Sequence, residues 1–182
     1  KPKAISVTQC TEFGTTYSVD ELRTLTECAR SHHLHVHLDG ARFSNAVASL
    51  GVSPAEITWK AGVDVMSFGL TKLGVGVGEA VVFFDRDLAE EFDYRCKQAG
   101  QLASKMRFLT AGWCGLLRNN TWIEIARRAN AHAQILREQL SLVPGVDLLF
   151  PTQANAVFAR FPQHVNAAMA SKGWHYYELA GI

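Results

Sequence analysis

A single charge set inside a long apolar, glycine-rich run constrains this chain more than any other feature. Between residues 65 and 78, VMSFGLTKLGVGVG, the only charged side chain is Lys72. The apolar run 65–70 is bounded by turn residues and predicts a buried strand, and 81–84 predicts a second. Lys72 falls on the link between them, where Gly74, Gly76 and Gly78 let the backbone bend and approach a neighbour closely. Burying an ammonium without a partner is costly. A lysine held in such a place is suited to forming an imine with a carbonyl. The same residues also fit a plainer reading, in which Lys72 extends from a strand end into water.

The rest of the chain supplies strands and helices in alternation up to this point. Residues 4–9 (AISVTQ) read as a strand, and 11–16 as a polar loop. Ser18 followed by Glu21 is a capping-box signature for a helix that runs to about residue 31. Residues 34–38 form the next strand and lead into Asp39-Gly40, a turn signal. A second helix is predicted over 42–50, and Ser53-Pro54 with Glu56 starts a third. Such alternation predicts an α/β fold with a mainly parallel sheet. Ligands of such sheets gather at the carboxyl ends of the strands. Asp39 and Lys72 are both expected just past such ends, facing one site.

Beyond Phe84 the pattern turns helical, over 87–99, 104–117 and 121–143. The last carries Trp122, Ile125, Ala129, Ala133, Leu136, Leu140 and Val143, a stripe expected to pack into a core. Strands at 146–150 and 156–161, a helix near 164–171 and a strand near 174–179 suggest a separate small unit. The expected division is 1–112 for part of a large domain, 113–143 for a connecting helical region, and 144–182 for the start of a small α+β domain.

A net charge of +1 with no basic run argues against nucleic acid and anionic membranes as partners. The longest nearly uncharged run is too short to span a bilayer. Four widely spaced cysteines without a C-x-x-C pair fit reduced thiols in the cytosol. The chain starts without Met and almost directly on a strand, so it is expected to be part of something longer.

Two constellations could carry chemistry. His35, His37 and Asp39 alternate along one strand and so project to one face. An H-x-H-x-D strand end could begin a zinc site, but such a site needs at least three converging ligands, and no further His/Asp/Glu cluster stands out. No metal is therefore expected. The second constellation joins Asp39 to Lys72. A lysine that forms an imine and a carboxylate on a neighbouring strand end are the two groups pyridoxal phosphate needs most. The lysine holds the aldehyde, and the carboxylate keeps the pyridine nitrogen protonated. Arg42, three residues after Asp39, can then grip an amino acid's carboxylate in bidentate fashion.

HLDGAR at 37–42, SFGLTK at 67–72 and GEAVVFF at 78–84 resemble the threonine aldolase branch of the β-eliminating lyases, fold-type I pyridoxal phosphate enzymes. The opening ISVTQCTEFGTTYS at 5–18 is similar to the strand and loop that precede this site in the family. The resemblance implies a large domain with a mainly parallel sheet, followed by a small α+β domain. It implies that Lys72 carries the cofactor, Asp39 contacts its pyridine nitrogen, and Arg42 binds the substrate carboxylate. It further puts Thr8 and Glu12 in the site wall, Thr71 beside the cofactor, and Arg107 on the cofactor phosphate of a neighbouring subunit. The implied reaction is aldol cleavage of threonine or allo-threonine to glycine and acetaldehyde, in a homodimer or homotetramer. Two departures stand against this pattern. The family's phosphate loop and ring-stacking histidine belong to an N-terminal portion absent here, and a further substrate arginine would lie beyond Ile182. Gly69 stands where many fold-type I enzymes have a serine that reaches the phosphate. Another reaction of the same cofactor, β-elimination or transamination, would keep Asp39 and Lys72. A catalytically inactive structural fragment would need neither.

Overall fold

The computed structural model describes residues 1–179. Its centre is a four-stranded sheet made of β1 (Ala4–Thr8), β2 (His35–Gly40), β3 (Val65–Gly69) and β4 (Glu79–Phe83), side by side in chain order. β1, β2 and β3 run parallel, and β4 returns antiparallel to β3. The expected mainly parallel sheet is therefore present. The antiparallel edge follows from the short link through Lys72, because a parallel return would need a crossover of a dozen residues or more.

Strand alternation sends the apolar residues to one side. Val7, Val36, Leu38, Met66 and Phe68 are buried there with Leu22 and Ala29 of α1 (Val19–Ser31) and with Phe43, Ala46 and Val47 of α2 (Phe43–Leu50). α1 begins as its sequence says. The Ser18 hydroxyl accepts from the Glu21 N–H while the Glu21 carboxylate accepts from the Ser18 N–H, both ends of a capping box. α5 (Thr121–Ser141) joins the same layer. Trp122 stacks on Phe43 and meets Phe68 edge-on at 5.4 Å, and the Asn45 and Asn130 side chains pair at 3.0 Å.

Several elements differ from the sequence expectation. Pro54–Ile57 and Trp59–Ala61 are 3₁₀ turns rather than an α-helix, the second ending on Gly62 at φ +94. The helix expected over 87–99 is broken into a 3₁₀ turn (Asp87–Ala89) and α3 (Phe92–Gln98), because Glu91 between them takes a left-handed conformation. α4 (Met106–Leu117) follows. The α5 stripe is buried at Trp122 and Ala133 and half-buried at Ile125 and Ala129, but Leu136 is exposed, since the core that covers the first half of the helix ends there. β5 (Asp147–Leu148) and β6 (Ala159–Arg160) pair antiparallel, and α6 spans Gln163–Ser171. Residues 174–179 form no strand, for they pair with no neighbouring strand among the described residues.

The loop after β1 and the segment between β5 and β6 are packed together. Phe13 lies against Phe150 and Phe158, and the Gly14 carbonyl accepts from the Gln153 and Ala154 N–H groups. These contacts hold the loop that carries Glu12.

Candidate active site

The other side of the sheet carries Ser6, Thr8, His37, Asp39 and Ser67, and among the described residues no helical layer covers them, although Phe92 of α3 packs on Phe83 at the β4 edge. Register aligns Thr8, Asp39 and Ser67 across β1, β2 and β3 near the strands' carboxyl ends. Alternation puts all three on one face, with Ser6 and His37 one step below. The row is fixed by the ladder, including a bond from the Gln9 N–H to the Asp39 carbonyl at 3.0 Å. His37 lies between two hydroxyls, with Nδ1 2.8 Å from Ser6 Oγ and Nε2 2.9 Å from Ser67 Oγ.

Asp39 lies inside β2 rather than just past it, because the strand runs on to Gly40. Its Oδ1 accepts from the Ala41 N–H at 3.0 Å, the one side-chain hydrogen bond it makes among the described residues. Lys72 sits in a 3₁₀ turn, Thr71–Leu73, that follows β3 and ends on Gly74 at φ +99. It is exposed, not buried as its apolar neighbours suggest. The apolar burial of this stretch belongs to Met66, Phe68, Leu70 and Val75, which join the core, whereas Thr71, Lys72 and Gly74 of the turn are exposed. Lys72 forms no ion pair among the described residues.

Arg42 occupies the position before the first turn of α2, and its carbonyl receives the Cys10 thiol at 3.9 Å. Burial pushes that thiol's pKa up, the nearby Arg42 charge pulls it down, and the Glu12 charge adds a smaller upward push. Arg107 is on α4, exposed, with its guanidinium 4.8 Å from the Phe108 ring centre. No contact among the described residues ties it to the Asp39 row. Thr71 donates its hydroxyl proton to Glu79 Oε1 at 3.2 Å.

The H-x-H-x-D strand does not converge on one point, since His37 and Asp39 have separate partners. His35 instead meets Asp64 and Asp85 at the opposite, amino-terminal end of β2, their ligand atoms within 4.8 Å of one another. Both carboxylates already accept backbone N–H groups there, from Val36 and Asp87.

This face offers a half-buried carboxylate and a row of hydroxyls, and the strand beside Asp39 leads into an exposed turn that carries a primary amine. That donor set suits a flat aromatic aldehyde with a basic ring nitrogen. Ser67 and Glu79 also stand on this face and were not singled out by the sequence, whereas His37 was, as part of a metal-ligand pattern. Only strand register could have found Ser67 and Glu79, since each takes its place from a partner strand.

A family model described as beta-eliminating lyase matches residues 1–162. The chain is 54% identical over 181 residues to a low specificity L-threonine aldolase of Pseudomonas aeruginosa, covering 100% of this chain and 52% of that protein. A low specificity L-threonine aldolase of a Pseudomonas species is 52% identical with the same coverage. Among solved structures, the threonine aldolase of Leishmania major superposes with a TM-score of 0.86 at 28% identity, over 93% of this chain and 49% of that one. The chain thus spans about half the length of the curated relatives it matches.

Proposed function

The chain belongs to the beta-eliminating lyase family, and from that premise we propose that its protein is a pyridoxal phosphate-dependent lyase. The reaction is aldol cleavage of threonine or allo-threonine to glycine and acetaldehyde. The observation that carries this reading is the alignment of Asp39 with Thr8 and Ser67 on the uncovered face, one strand from the turn that bears Lys72. The two relatives named as low specificity L-threonine aldolases direct it to this substrate class.

Pyridoxal phosphate, when bound, supplies an aromatic ring that accepts the electrons of a bond broken at the substrate's Cα. Lys72 would hold the cofactor aldehyde through its side-chain amine. Asp39 has one oxygen committed to the Ala41 N–H, and its second carboxylate oxygen would keep the cofactor's ring nitrogen protonated. Arg42 binds the substrate carboxylate with its planar fork. Thr8 and Glu12 line the wall on the β1 side. Thr71 would stand beside the cofactor, and Arg107 would serve the phosphate of a cofactor in a neighbouring subunit. Exposed Tyr94, Leu102, Phe108 and Leu117, on and between α3 and α4, support a subunit contact in that region and hence a homodimer or homotetramer. The four cysteines are free, which supports a reducing compartment such as the cytosol. Among the described residues no helix is long and apolar enough to cross a membrane.

The test is borohydride reduction of the cofactor-loaded protein followed by peptide mapping, beside an assay for acetaldehyde released from threonine. The expected adduct is on Lys72, and Lys72→Ala should abolish both adduct and acetaldehyde. A reduced adduct on another lysine, or keto acid and ammonia in place of acetaldehyde, overturns the reading.

A further inference from the structure

The absence of a side chain at Gly69 is matched by a carboxylate. Gly69 and Glu79 face each other across β3 and β4, one step nearer the carboxyl end of β3 than Ser67 and on the same face. A Cβ built on Gly69 would lie 3.1 Å from both Cδ and Oε1 of Glu79 and closer still to Oε2. The Glu79 carboxylate therefore occupies the space that any side chain at position 69 would take. From there it receives the Thr71 hydroxyl at 3.2 Å.

That bond joins β4 to the turn of Lys72. The remaining bonds of the turn are local, from the Leu73, Gly74 and Val75 N–H groups back to the Leu70 and Thr71 carbonyls. Val75 is buried and holds the link from the apolar side. On the polar side, Thr71 to Glu79 is the one side-chain hydrogen bond from the turn to β4 among the described residues. Between them run residues 74–78, with Gly74 and Gly78 at φ +99 and +100, a segment of low intrinsic stiffness.

We propose that Glu79 is a positioning residue, which braces the Lys72 turn through the Thr71 hydroxyl and which requires the bare Cα of Gly69 to do so. The proposal rests on the reading of Lys72 as the cofactor lysine. It accounts for glycine at a position where a serine would displace the brace.

A double-mutant cycle on the full chain tests this, with Glu79→Ala, Gly69→Ala, their combination, and Glu79→Gln. The Gly69→Ala chain folds because the obstacle is the mobile end of a side chain, which swings aside at little cost. Two quantities are read: amide hydrogen exchange over residues 71–78 in the cofactor-free chain, and the rate at which pyridoxal phosphate becomes borohydride-trappable on Lys72. Glu79→Ala and Gly69→Ala should each speed exchange and slow trapping by about three- to tenfold, the scale of one ordinary hydrogen bond. The combination should be no worse than either, because both remove the same contact. Glu79→Gln, which still accepts from Thr71, should restore trapping, a rescue that a general loss of stability would not give. Wild-type exchange in Glu79→Ala, silence of Gly69→Ala, additive effects in the combination, or no rescue by glutamine each overturns the proposal. If the wild-type adduct maps away from Lys72, the lyase reading fails by itself, and the exchange data still decide the brace.

Discussion

Gly40 separates Asp39 from the start of α2 and has no room for a side chain. A Cβ there would come within 2.7 Å of the Ser67 carbonyl oxygen, 3.2 Å of Phe43 Cβ and 3.3 Å of Met66 Cγ. The first obstacle is backbone of the neighbouring strand, paired in register at Asp39–Ser67 and Gly40–Phe68. The other two belong to the packed core. Gly40→Ala can be accommodated only by moving β2 from β3 at the row that holds Asp39. Overpacking of this kind costs about 1–3 kcal/mol, and a rigid carbonyl puts the expected value in the upper half, about 2–3 kcal/mol. For a domain of this size that lowers Tm by roughly 4–12 °C. The assay is urea unfolding followed by circular dichroism, with equal slopes required before midpoints are compared. Gly115→Ala in α4 is the control, since nothing lies within 4 Å of its Cβ, and it should be neutral or stabilising by up to about 1 kcal/mol. A Gly40→Ala chain within about 0.5 kcal/mol of wild type would refute the claim that close strand approach fixes the Asp39 row.

Phe43 is buried and lies against Phe68 and Trp122, so Phe43→Ala should cost about 3–5 kcal/mol in the same unfolding assay. The carboxyls of Glu21 and Glu56 are held below their ordinary range by the backbone N–H and then the hydroxyl of Ser18 and Ser53. Because the folded values are depressed, their contribution to stability is complete above the ordinary carboxylate range and is lost as pH falls through it to the folded values. A Glu21→Gln, Glu56→Gln chain should show a shallower fall in Tm over that acid window, and an unchanged slope would contradict the assignment. Cys10 is buried with its thiol pKa raised by burial, whereas Cys28 and Cys114 are exposed. Iodoacetamide at neutral pH should label Cys28 and Cys114 and reach Cys10 only on unfolding, with mass mapping as the readout. Early labelling of Cys10 would show that the loop after β1 opens on its own.

The order of elements was legible in the chain wherever a local rule governs it. The Ser18–Glu21 capping box and the alternation of HVHLDG each depend on neighbours a few residues away. The family-bearing segments around Asp39 and Lys72 were legible for the same reason, since residue types and spacing are local quantities. Exposure was not. Lys72 sits in an apolar stretch but on an exposed turn, and Leu136 continues a stripe whose cover ends at Ala133. Whether an apolar pattern is buried depends on what stands opposite, which no window of sequence contains. The pairing of Gly69 with Glu79, the row of Thr8, Asp39 and Ser67, and the clasp of His37 by Ser6 and Ser67 likewise required strand register. Sequence fixes which residues a strand offers to each face, and only the assembled sheet decides which of them meet.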